Sequence, residues 1–90
     1  MSQEQLHRDL ERLDREIAEA RPGDEKSTAL LRKLREDIRA ALAQGDAASS
    51  AQYQSIGDSL RDSVYHFDAS HPQLAKTMAS VIDSLALLNL

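Results

Sequence analysis

Apolar side chains recur at alternating intervals of three and four residues in four separate stretches, and this spacing constrains the fold more than any other feature. The first stretch holds Leu6, Leu10, Leu13, Ile17 and Ala20. The second holds Leu31, Leu34, Ile38 and Ala41, flanked by Leu30 and Leu42. The third runs through Tyr53, Ile56, Leu60, Val64 and Phe67. The fourth runs through Leu74, Met78, Val81, Leu85 and Leu88, widened by Ile82, Leu87 and Leu90. Such positions share one side of an α-helix, and in the first two stretches they form a narrow seam of a and d positions. An all-α fold follows, with helices expected at about 3–21, 25–44, 50–67 and 70–89.

Punctuation between the stretches agrees. Ser2 and Gln5 can form a capping box at the start of the first helix. Arg21, Pro22, Gly23 and Asp24 end it, because the residue before a proline is biased away from helical backbone. Asp24 or Ser27 can cap the second helix, and Gly45 suits the position after its last turn. So short a connection makes residues 1–45 a charged antiparallel αα-hairpin. Residues 46–50 read as a flexible linker, and 51–90 as a more apolar helical pair within the same single domain, 1–90. Gly57 weakens the third helix, and its small size permits close approach of another helix. In the segment Asp68-Ala69-Ser70-His71-Pro72-Gln73, Ser70 reads as an N-cap and Gln73 completes a capping box, with Pro72 tolerated in the first turn.

Charge divides the chain unevenly. Residues 1–45 carry 9 basic and 10 acidic side chains, against 2 and 5 in residues 46–90. On the first helix, Glu4–Arg8, Glu11–Arg15, Arg12–Glu16 and Arg15–Glu19 are candidate ion pairs one turn apart. The last stretch, by contrast, has only Lys76 and Asp83 as charged residues, and a helix apolar over most of its circumference is usually buried.

With three aromatic side chains, Tyr53, Tyr65 and Phe67, the core must be built from aliphatic residues. Ninety residues give one small domain whose core is marginal unless it packs efficiently or another chain helps. Hence self-association is expected, a homodimer as the first choice, with Leu74, Met78, Val81, Ile82, Leu85 and Leu88 as its interface. Met78→Asp or Leu85→Asp is then expected to give monomers or unfolded chain.

The segment Phe67-Asp68-Ala69-Ser70-His71-Pro72-Gln73-Leu74, followed by an apolar helix, resembles the closing part of a small bacterial family catalogued as a domain of unknown function. Many of its members carry a Phe-x-x-x-His-Pro-x-Leu signature at a helix junction, which here comprises Phe67, Ser70, His71, Pro72 and Gln73. The resemblance implies an all-helical bacterial protein, cytoplasmic, with no activity to carry over. The last helix here holds more Ser and Thr than that layout implies, leaving the tightness of its packing open.

Chemistry is sparse. A net charge of −4 argues against binding nucleic acid or an anionic membrane. Cysteine is absent, so there is no thiolate ligand, disulfide or thiol nucleophile. The N-terminal residues contain no apolar signal region, and Met78–Leu90 is too short and too interrupted to span a bilayer. His66, Asp68 and His71 are the strongest metal-like cluster, but they lack a known ligand spacing and sit at a helix break, and His7 stands alone. No G-x-S-x-G elbow or phosphate loop occurs. Catalytic, cofactor and metal sites are therefore expected to be absent. Arg32, Lys33, Arg35 and Arg39, interleaved with Glu36 and Asp37, form the one basic cluster. It reads first as a salt-bridged hairpin surface, and otherwise as a docking surface for a partner protein or as a weak site for an anion or nucleic acid. The expected role is a non-enzymatic helical interaction or self-association module.

Overall fold

The structure, a computed structural model, describes residues 2–88. Four α-helices follow one another: α1 (Ser2–Glu19), α2 (Glu25–Gln44), α3 (Ser50–Phe67) and α4 (Pro72–Ala86). Each packs on two neighbours, α1 on α2, α2 on α3, α3 on α4 and α4 back on α1. The result is a small bundle of 35 × 20 × 19 Å. Its centre is the set of seam residues anticipated from spacing: Leu6, Leu10, Leu13, Ile17, Leu31, Leu34, Ile38, Ala41, Ile56, Leu60, Phe67, Leu74, Met78, Val81 and Leu85 are all buried. The Leu90 side chain and the expected end of the last helix at residue 89 lie outside the described residues, as does the Ser2 side chain on which the first capping box rests.

The helix ends follow local chemistry. Asp24 caps α2, its Oδ1 accepting the Ser27 N–H at 2.7 Å. Gly45 ends that helix with φ +55°, backbone that favours glycine, and its N–H bonds the Ala41 and Leu42 carbonyls. α1 stops two residues earlier than expected, at Glu19. Its final turn tightens through an Ala20 N–H to Ile17 carbonyl bond of 3.1 Å, and Pro22 then bars continuation. The segment read as a flexible linker is ordered. Gly45–Ala47 form a 3₁₀ turn, and Ser49 and Gln52 exchange side-chain-to-backbone bonds of 3.2 and 2.9 Å in a capping box.

The junction before α4 also departs from expectation. Ser70 does not cap the helix and is exposed; His71 occupies that position, with no side-chain cap bond, and the capping box with Gln73 does not form. The reason is Pro72. A proline favours the first helical position, which places the cap one residue before it, at His71. Ser70 belongs instead to the turn leaving α3, which closes with a 2.8 Å bond from the His71 N–H to the Phe67 carbonyl. In α3, Ser63 is fully buried while Val64 is only half-buried, so the heptad position falls on a serine that hydropathy alone passes over.

Of the four candidate ion pairs on α1, Arg12–Glu16 at 3.0 Å forms among the described residues. Exposed pairs of this kind contribute about 0–1 kcal/mol, too little to hold the others closed.

The expected intermolecular role of α4 is corrected by its burial. Leu74, Met78, Val81 and Leu85 are covered by α1 and α3 of the same chain, leaving only Ile82 and Leu88 half-buried. Met78→Asp therefore places an unpaired charge in the core and is expected to cost more than about 4 kcal/mol, much of a small domain's stability. Circular dichroism should show loss of helix; a folded monomer with full helix content would contradict this.

Gly57 is buried against α4, yet a methyl group there would meet Leu85 Cδ1 at 3.6 Å, an ordinary contact. Close approach does not require the glycine, so Gly57→Ala is expected to stabilise the fold by about 0.5–1 kcal/mol. Thermal unfolding should move upward by several degrees, and a downward shift would show that the space is not free.

Candidate functional site

Three polar junctions tie the helices together around the aliphatic core. The first joins α1 to α4. Asp9 and Glu16 stand seven residues apart on α1, as Thr77 and Ser84 do on α4. The Thr77 hydroxyl lies 2.7 Å from Glu16 Oε1 and 3.2 Å from the Gln73 carbonyl. Its single proton goes to the charged, nearer acceptor. The Ser84 hydroxyl donates to Asp9 Oδ2. Two hydroxyl–carboxylate bonds in matching register fix α1 and α4 as antiparallel neighbours. They also explain the Ser and Thr content of the last helix: both hydroxyls are buried, and no buried side-chain polar atom among the described residues lacks a partner.

The second junction joins α2 to α3. Ser27, nearly fully buried, pairs its hydroxyl with His66 Nε2 at 2.7 Å. His66 packs edge-on against Phe67, with ring centroids 4.8 Å apart, and His71 packs against the same ring at 5.7 Å. Among the described residues, no group of three His, Asp or Glu side chains is arranged to hold a metal ion. The tempting cluster of His66, Asp68 and His71 is thus divided: its two imidazoles serve the helix junction, and Asp68 is exposed. A serine beside a histidine invites a nucleophilic reading, but Ser27 is 5% exposed, which closes its hydroxyl to a substrate.

The third junction joins α1 to α2 and contains the basic cluster. Arg35 Nε donates to Asp14 Oδ1 at 3.0 Å, and Arg39 Nε stands 3.7 Å from Asp14 Oδ2. One carboxylate thus gathers two arginines. Arg32 has no ion pair among the described residues, and Lys33 leaves the cluster to pair with Asp37 at 3.3 Å. Arg32, Arg35 and Arg39 line an open groove of about 370 Å³ between the two helices, floored by Ala18, Ala20, Pro22 and Leu31, with Glu36 at its edge. The fold gathers these three arginines onto one concave surface. The sequence placed the arginines on one face of α2. It carried no sign of Asp14 as their organiser, because Asp14 and Arg35 are 21 positions apart.

A second depression shares Ala20 with that groove and lies between Glu16 and Glu19 on one side and Ser70, His71, Pro72 and Gln73 on the other. Those residues of the signature segment therefore flank the end of α1. No helix among the described residues is long and apolar enough to cross a membrane.

At the other end of the second junction, Asp24 is held below its ordinary value of 3.8. The Ser27 backbone N–H is the main cause, followed by the Ser27 hydroxyl, with His66 and Lys26 adding favourable charge. A depressed carboxyl stabilises the fold above its unfolded value, and this contribution is lost as pH falls through the folded value. Asparagine caps helices nearly as well, so Asp24→Asn isolates the charge. The variant should melt below the wild type at neutral pH, and the gap should close below about pH 4. A gap independent of pH would refute this account.

Comparison with known proteins adds one finding. A family model described as a domain of unknown function (DUF4404) matches residues 6–88. No curated protein and no solved structure matches the chain.

Proposed function

The chain belongs to the DUF4404 family, a domain of unknown function, and from that premise we propose that it is a non-enzymatic interaction module whose α1–α2 groove receives an acidic helical segment of a protein. The observation that carries this reading is the arginine triplet on an apolar-floored groove, in a chain whose net charge is −4. Asp14 supports it further. Bonded to Arg35 Nε and 3.7 Å from Arg39 Nε, it orders the Arg35 guanidinium and leaves the terminal nitrogens of both for an incoming carboxylate. Ala18, Ala20 and Pro22 offer shallow apolar contact of the kind an amphipathic helix buries. Nucleic acid, a uniform run of phosphates, is a poorer fit for a chain of net charge −4.

The test uses a synthetic helical peptide with Glu at i and i+4 and Leu between them on the same face. Titration into isotope-labelled protein should give saturable NMR shifts at Ala18, Leu31, Arg32 and Arg35, weakening as salt rises. Arg32→Glu, at an exposed position, should weaken binding about tenfold or more. Absence of shifts in the groove would remove the reading, and binding of a DNA duplex at low salt without peptide binding would replace it with a nucleic-acid site.

A further inference from the structure

The exposed face of α3 repeats the spacing of the groove arginines in reverse. Along α2, Arg32, Arg35 and Arg39 step by three and then four residues. Read backwards along α3, Tyr65, Asp62 and Asp58 do the same. At about 1.5 Å rise per residue each triplet spans about 10 Å, and each falls within about 60° of helix circumference. Asp58, Asp62 and Tyr65 are all exposed, Tyr65 to 89%, more than any other large apolar side chain among the described residues. An aromatic ring held that far into solvent, at the end of a row of two carboxylates, has the composition of an interface anchor.

Within one chain the two triplets do not pair. Arg35 and Arg39 contact Asp14, Asp58 accepts a 3.4 Å hydrogen bond from Arg61 one turn along α3, and Asp62 and Arg32 have no ion pair among the described residues. We propose that the occupant of the groove is α3 of a second copy of this chain, antiparallel to α2, with Asp62 on Arg35, Asp58 on Arg39 and the Tyr65 ring on Arg32. This rests on the groove reading above and names its partner. The Arg32 guanidinium suits a ring face because it has no ion pair among the described residues, and the two carboxylates meet arginines gathered beside Asp14. The contact joins two different patches, so each copy carries one of each, and the assembly either closes or continues.

That asymmetry supplies the test. Light scattering of the wild-type chain should show mass rising with concentration up to about 1 mM, where weak contacts populate. Arg35→Glu/Arg39→Glu and Asp58→Lys/Asp62→Lys should each be monomeric alone. Mixed in equal amounts they should associate again, because each retains the patch the other has lost. Circular dichroism checks that each is folded. Should the paired charge reversals beside Asp14 disturb the hairpin, Arg32→Glu and Tyr65→Ala alter exposed side chains and should each weaken association about tenfold or more without changing the melting temperature. A wild-type chain monomeric throughout, variants that associate as the wild type does, or folded variants that stay monomeric when mixed would each overturn the pairing. If the wild type is monomeric while the acidic peptide still binds the groove, only the second-copy partner falls; if the peptide is also silent, both readings fall.

Discussion

The contact between the first and last helices is the constraint on which the rest of the bundle depends. α4 is apolar over most of its surface and has two neighbours, so without α1 one flank of Leu74, Met78 and Leu85 would face water. Fully burying one such side chain contributes about 1.5–3 kcal/mol, and leaving several uncovered would exceed the margin of a small domain. The Thr77–Glu16 and Ser84–Asp9 bonds sit at the rim of that contact and admit one register. A slide of the helices by one turn would strand the buried Ser84 hydroxyl, leave the Thr77 hydroxyl only the Gln73 carbonyl of its own helix, and withdraw two carboxylates from their donors, a penalty of about 1–3 kcal/mol for each unpaired group.

Polar junctions differ in kind between the helix pairs, and the difference bears on function. At α1–α4 and α2–α3 the hydroxyls are buried, so those contacts are spent on assembling the chain. At α1–α2 the Asp14–Arg35 pair is partly open, with Arg35 about a third exposed, and a third arginine stands without an ion pair beside it. The groove is therefore the place where charge is ordered by the fold yet still available. On the opposite side of the charge balance, the outer face of α3 presents two carboxylates in line with an exposed tyrosine.

Cysteine is absent from the sequence, and its histidines are the residues that most readily suggest chemistry. The histidine junction shows how such a residue is absorbed. His66 and His71 bracket Phe67, and the Ser27 hydroxyl takes the one hydrogen bond recorded for His66. A pattern that suggests ligands in a linear sequence becomes an aromatic edge contact at a helix break.

Much of the architecture was legible from spacing alone. Side-chain position on a helix is a local property with a fixed period, so four apolar stripes determined four helices and nearly all of the core. Pro22, Asp24 and Gly45 marked breaks for reasons confined to their own backbone. The same locality misled at Ser70, where Pro72 moved the cap by one residue, and at Ser63, where a polar residue filled a core position. Only the tertiary structure decided what covers α4 and how the arginines are held. Both depend on pairs distant in sequence, Glu16 with Thr77 and Asp14 with Arg35, and no periodicity within one helix specifies which neighbour its seam will meet.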